Sequence, residues 1–194
     1  MGWRERLPRG ISGKMIQKKL DPLYELHDRP TFMDTFAKLV VGVSERSVCL
    51  FYDVGAVIFR GQHDLCTGYN GPASKDVHCT KVGCARIVNG ELKSGTGRCR
   101  GSHAELNAIG NAAKCGINIS EASIMTSWRP CFACAKQIVN AGLKEVLYLF
   151  QYGDDDNVEE YLRKLGINIT KYESQYFSNW MQKLNGDILT PSKK

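Results

Sequence analysis

Long apolar runs are missing from this chain of 194 residues. None approaches the ~20 residues that a membrane-spanning helix needs, so no membrane anchor is expected. The opening Met1-Gly2-Trp3-Arg4-Glu5-Arg6 has no apolar h-region of a secretory leader. Arg6 also breaks the N-myristoylation pattern. Eight cysteines in a chain without a leader are then expected as thiols and metal ligands, not disulfides. The expected compartment is the cytoplasm, where the sequons at Asn118 and Asn168 carry no meaning. Also absent is a stripe of alternating aromatic and basic residues that would stack successive bases of a single strand. Charge of one sign is only mildly in excess, 26 Lys and Arg against 20 Asp and Glu, a formal +6. About half of that excess falls in the first 30 residues, with seven basic against four acidic side chains. Such a balance suits an anionic partner but is common on proteins that bind none. Apolar content of 43% and charged content of 24% describe a globular chain long enough for one domain with a real core.

What is present is a pair of short motifs. His103-Ala104-Glu105 is followed at a distance by Pro130-Cys131-Phe132-Ala133-Cys134, each at the opening of a helical pattern. Cys131 and Cys134 are one helical turn apart, so both sulfurs face the same way at the positive end of the helix dipole. One imidazole and two thiolates suit a tetrahedral zinc ion, and three protein ligands leave one position open. Glu105 stands two residues beyond His103, within reach of that position without binding the metal itself. A structural zinc would need a fourth ligand beside these three, and a redox CxxC would leave the HAE unexplained.

The rest of the chain places these motifs on a scaffold. Residues 1–30 read as a basic arm. Pro30-Thr31 starts a helix with Thr31 as N-cap, buried along Phe32, Phe36, Leu39, Val40 and Val43. Strands over 54–59 and 65–69, with a turn near Gly61, form an antiparallel hairpin. An irregular stretch over 73–102 follows, a length that is uncommon unless functional or pinned. Helices over 103–115, 131–141 and 156–165 then alternate with strands over 122–126, 146–150 and 168–172. Each of the three helices stops at a glycine followed by an apolar residue: Gly116-Ile117, Gly142-Leu143 and Gly166-Ile167. Repeated αβ units imply parallel neighbours. The expected architecture is a three-layer α/β/α sandwich on a mixed five-stranded sheet, ending in an amphipathic helix over 174–184 and a polar tail.

With the motifs in place, the chain resembles the cytidine deaminase-like superfamily and, within it, the deoxycytidylate (dCMP) deaminases. The likeness runs over about 29–172 and is carried by Val54-Gly55-Ala56-Val57-Ile58, Gly68-Tyr69-Asn70-Gly71, His103-Ala104-Glu105-Leu106-Asn107-Ala108-Ile109, Pro130-Cys131-Phe132-Ala133-Cys134-Ala135-Lys136 and Ala141-Gly142-Leu143-Lys144-Glu145-Val146. The resemblance implies a deaminase domain over 31–172 whose last two strands are parallel, and hydrolysis of dCMP to dUMP for thymidylate synthesis. Zinc held by His103, Cys131 and Cys134 would draw the pKa of a water toward ~7. Glu105 would carry protons from that water to ring N3 and the exocyclic nitrogen. The Ala104 N–H, Asn70 and Tyr152 are implied nucleotide contacts, with Asn70 read equally well as a turn residue before Gly71 and Tyr152 as a surface aromatic. Arg46 and Ser47, in the loop after the first helix, are the candidates for the phosphate. By the same resemblance Cys49, Cys79, Cys84 and Cys99 form a second, structural zinc site, against unrelated thiols or His78 in place of one cysteine. Cys66 and Cys115 are expected as core thiols. The family also implies a homo-oligomer, commonly a hexamer, with dCTP and dTTP as effectors. Ser127-Trp128-Arg129-Pro130 departs from the dCMP deaminase pattern, and a Trp before PC resembles polynucleotide deaminases. A deaminase of RNA or single-stranded DNA is therefore the alternative, and a competence-type zinc protein that kept only the fold is a third reading.

Overall fold

The structure, a computed structural model, describes residues 29–93, 98–151 and 157–184. Most of the expected arm over 1–30, and Tyr152, lie outside the described residues. Strand β1 (Gly55–Arg60) pairs antiparallel with β2 (His63–Tyr69) on one side and with β7 (Ser123–Trp128) on the other. From β7 the sheet continues parallel through β8 (Glu145–Phe150) to β9 (Asn168–Lys171), giving the order β2-β1-β7-β8-β9. The mixed five-stranded sheet with its last two strands parallel is the one expected.

Both faces are covered, so the central strands are apolar on both sides, as parallel-type sheets require. One layer is α1 (Phe32–Ser44) and α6 (Gln175–Lys183), which meet Val57, Phe59, Met125 and Leu149 through Phe36, Val40 and Phe177. Asp34 of α1, buried, accepts hydrogen bonds from Tyr172 Oη at 2.8 Å and from Ser174 Oγ. The other layer is α3 (Ala104–Cys115), α4 (Phe132–Asn140) and α5 (Asn157–Lys164), resting on Ala56, Ile58, Ile124 and Val146. Alternation along β1 sends Ala56 and Ile58 to one layer and Val57 and Phe59 to the other.

The three helix stops are one device. Gly116, Gly142 and Gly166 all have φ between 67° and 79°, where a side chain is strained. In each, the following apolar residue donates back five positions: Ile117 to Ala112 at 2.9 Å, Leu143 to Ile138 at 3.2 Å and Ile167 to Leu162 at 2.9 Å. These are Schellman closures, and each turns the chain directly into the next strand approach.

The helices over the site begin one residue later than the sequence reading placed them. His103 and Cys131 occupy the N-cap positions, with extended backbone, and make no side-chain cap. The irregular stretch contains short elements of its own. Gly71–Pro72 (β3) pairs with Gly101–Ser102 (β6), closing its base, and between them lie α2 (Cys79–Val82) and the two-stranded β4 (Ile87–Val88) and β5 (Glu91–Leu92). Among the described residues no helix is long and apolar enough to cross a membrane.

Candidate active site

Close packing aims two helix starts at one point. Gly68 of β2 lets the α3 backbone lie directly on the strand: a Cβ there would meet Ala104 O and Ala108 N at 2.3 Å each. Ala104, Ala108 and Ala112, at i, i+4 and i+8, form the matching face and are fully buried. The first turn of α3 is thereby fixed, with His103 ahead of it and Glu105 within it. Cys131 follows the C-terminal end of β7, and Cys134 sits one turn into α4 with its side chain fully buried.

His103 Nδ1 is 3.3 Å from Cys134 Sγ and 3.5 Å from Cys131 Sγ. Among the described residues these three are the set of possible metal ligands whose donor atoms all lie within 4.8 Å of one another. Zinc–sulfur and zinc–nitrogen bonds at the tetrahedral angle put the two donors about 3.5 Å apart. The observed spacing and the soft donor set therefore fit zinc. The protein groups alone already favour the thiolate at one of the two sulfurs. The Cys131 thiol is pushed down to about 3, first by a hydrogen bond from Cys134 and then by His103. Cys134 is raised by that same hydrogen bond and by burial. His103 is raised chiefly by its hydrogen bond with Cys131, while the Arg86 cation opposes the shift.

Glu105 is 4% exposed, and burial holds its carboxyl above the usual carboxylate range. It lines a cavity of about 360 Å³ with His103, Ala104, Cys131, Asn70 and Trp128. That volume is in the range of small-ligand sites.

The remaining expected residues divide. Asn70 is on the cavity wall, but its side chain also holds the entry to β1: Oδ1 accepts from Val54 N–H at 2.9 Å and Nδ2 donates to Tyr52 O at 2.8 Å. Its φ is not positive, so it is not there as a left-handed turn residue. Arg46 and Ser47 are not on the cavity wall. Arg46 lies over the Tyr69 ring at 5.9 Å, and Ser47 Oγ donates to Tyr52 O and accepts from Cys49 N–H, both at 3.2 Å. Cys49, Cys79, Cys84 and Cys99 all reach the same cavity, but no three of them converge as the first ligand set does. The other three are nonetheless felt at Cys79, whose thiol is raised first by burial, with the Arg100 cation opposing and the three sulfurs adding to the rise. His78 caps α2 and is off the cavity wall. Trp128 donates from Nε1 to Asp53 O at 3.3 Å and packs on Phe150 and Tyr52.

Sequence reasoning passed over Arg86 and Arg100, both on the cavity wall. Their signal was positional: Arg86 stands two residues after Cys84, and Arg100 directly follows Cys99. Arg129 was marked only as a departure from pattern. It is buried on the same wall with Nη1 3.8 Å from Glu159, which also accepts from Tyr148 Oη at 2.9 Å and Arg163 at 2.7 Å.

The family model for the cytidine and deoxycytidylate deaminase zinc-binding region matches residues 31–150. The chain belongs to this deaminase family. Among curated relatives, ComE operon protein 2 of Bacillus subtilis is 34% identical over 129 residues, which cover 66% of this chain and 64% of that protein. The deoxycytidylate deaminase of Saccharomyces cerevisiae is 31% identical over 156 residues, covering 80% of this chain and 48% of that enzyme. The chain thus spans about half to two thirds of the length of these relatives. Among solved structures, dCMP deaminase from the cyanophage S-TIM5, in complex with dCMP and dUMP, superposes with a TM-score of 0.62 at 27% identity, over 75% of this chain and all of that one. The deaminase fold and the zinc-binding region are therefore common ground with these proteins.

Proposed function

We propose that this deaminase hydrolyses dCMP to dUMP and ammonia, supplying dUMP for thymidylate synthesis. The observation that carries the reading is Glu105, a buried carboxyl held in a nucleotide-sized cavity beside a zinc-competent His103, Cys131 and Cys134. Support comes from curated relatives named deoxycytidylate deaminase and from the S-TIM5 enzyme, whose complex holds dCMP and dUMP. Zinc, when bound by those three side chains, supplies the Lewis acidity that makes a water nucleophilic at neutral pH. The rest is done by the chain. Glu105 takes a proton from the attacking water and gives it to ring N3; it then takes the proton of the new C4 hydroxyl and gives it to the exocyclic nitrogen, so that the C4–N bond breaks, ammonia leaves and the C4 carbonyl forms. Burial suits it to the task, because a carboxyl raised above its ordinary range holds a proton more readily than a solvated one and so can pass on the proton it has taken. The Ala104 N–H at the start of α3 is a donor for the base carbonyl, and Asn70 orients the sugar or base from the opposite wall.

Cys49, Cys79, Cys84 and Cys99 belong to this proposal as a second, structural zinc site. All four face one space, and four thiolates close a coordination shell with no position for water. A hexamer responsive to dCTP and dTTP, and action in the cytoplasm, where eight free thiols persist, complete it.

The polynucleotide alternative rests on Trp128. Its indole is already engaged by Asp53, Tyr52 and Phe150, which favours a wall residue over a stacking platform. Ammonia release from dCMP, dCTP, cytidine and an oligonucleotide tests the proposal. The expected order puts dCMP first. Faster turnover of the oligonucleotide, falling steeply with salt as counterion release weakens binding, would overturn it.

A further inference from the structure

Three arginines reach the cavity that holds His103 and Glu105, and two of them already stand beside a carboxylate. Arg100 closes its fork on Asp76 through Nε at 3.2 Å and through Nη2, which also donates to Val77 O at 2.9 Å. Arg129 is 2% exposed at its side chain and packed toward Glu159. Arg86 differs from both. Half-buried, it spends Nε on Lys93 O at 3.0 Å, and Lys93 N–H returns a bond to Arg86 O at 2.9 Å. This exchange brackets the β4–β5 pair and fixes the guanidinium plane. Among the described residues no other hydrogen bond ties the Arg86 guanidinium, and no carboxylate pairs with it.

A partly desolvated cation without a counter-ion is unfavourable unless an anion arrives with the ligand. An arginine anchored at Nε still presents its two terminal nitrogens, and that fork matches phosphate oxygens. We propose that Arg86 is the residue that receives the 5′-phosphate of the nucleotide. The inference rests on the nucleotide-deaminase reading above and extends it to the irregular stretch. That stretch would then supply substrate selection, with its cysteines holding Arg86 in place.

The test uses the full chain with zinc bound and measures ammonia release from dCMP and from deoxycytidine. Arg86→Gln should lower kcat/KM for dCMP by about 10- to 100-fold, chiefly through KM, as expected for loss of a charged hydrogen-bond partner. The loss on deoxycytidine should be smaller, so the preference for the monophosphate collapses. Arg86→Lys, which keeps charge without the fork, should recover part of it and also serves if Arg86→Gln fails to fold. An unchanged preference in Arg86→Gln overturns the inference. So does a collapse in Arg46→Ala alone, which would return the phosphate to the loop after α1. If the wild-type chain releases no ammonia from dCMP, the functional reading fails by itself. Calorimetry with dUMP then still decides on Arg86: equal affinity in wild type and Arg86→Gln refutes its role, and weaker binding in the variant supports it.

Discussion

Replacing Gly68 by alanine adds one methyl group, yet it should damage this site more than most changes inside the cavity. Gly68 pairs with Ala56 in the β2–β1 ladder, and α3 crosses directly over it. A Cβ at position 68 would lie 2.3 Å from Ala104 O, 2.3 Å from Ala108 N and 2.9 Å from Ala108 Cα. All three are backbone atoms of one helix, so no side chain can swing aside. Relief to an ordinary contact of ~3.5 Å requires α3 to withdraw by about 1 Å. His103 and Glu105 ride on the start of that helix, and a displacement of ~1 Å at reacting groups costs about 10²-fold in rate. Overpacking of this kind also costs about 1–3 kcal/mol, at about 2–4 °C of Tm per kcal/mol for a domain of this length. The assay is kcat/KM on dCMP at 25 °C, with circular dichroism confirming that the variant is still folded and calorimetry giving Tm. Gly110 provides a control on the same helix, because a Cβ there meets nothing within 4 Å. Gly110→Ala should be neutral or stabilising by about 0.4–1 kcal/mol. If Gly68→Ala kept wild-type turnover and Tm, the account of how α3 is seated would be wrong.

Two further variants probe the chemistry and the metal. Glu105→Gln is nearly isosteric and should keep fold and zinc while losing about 10²-fold or more in kcat, as when a proton-transfer group is removed; near-normal turnover would remove the proposed proton path. Metal analysis should find two zinc ions per chain in the wild type, and Cys84→Ser should bring the content toward one and lower Tm. A wild type with a single zinc and a Cys84→Ser variant that melts normally would refute the four-cysteine site.

How much was legible in the sequence depended on how local the cause was. The helix stops at Gly116, Gly142 and Gly166 were readable because a left-handed glycine followed by an apolar residue is a closure within six residues. The convergence of His103, Cys131 and Cys134 was readable because zinc chemistry fixes both residue type and spacing. The paired strands β3 and β6 inside the irregular stretch were not, since two-residue strands leave no period to detect. Asn70 shows a subtler limit. Its motif marked it as a ligand contact or a turn, whereas its side chain also closes the gap between Tyr52 and Val54 at the mouth of β1. That bond joins residues 16 and 18 positions away, which no local pattern records. Arg86 and Arg100 were missed for the same reason: their place on the cavity wall follows from how the stretch folds back through β3 and β6.

The two cysteine sets meet at one cavity, the first through Cys131 alone, but are held there by opposite means. Cys131 and Cys134 are fixed by the regular fold, at the end of β7 and the start of α4, and the Cys134 N–H at the start of α4 favours the thiolate form of Cys131. Cys49, Cys79, Cys84 and Cys99 sit on loops and a single helical turn, where few buried apolar contacts offset the ordering entropy. Among the four, only Cys49 lies outside the stretch over 73–102, and it follows α1 directly. A metal shared by these thiols would therefore staple the stretch to the end of α1, while β3 and β6 staple its base beside His103. Closing both ends leaves Arg86 fixed between them, facing the space that a nucleotide phosphate would enter. On the proposed reading, the regular layers would supply the reaction's chemistry, and the stapled stretch would supply the group that selects its substrate.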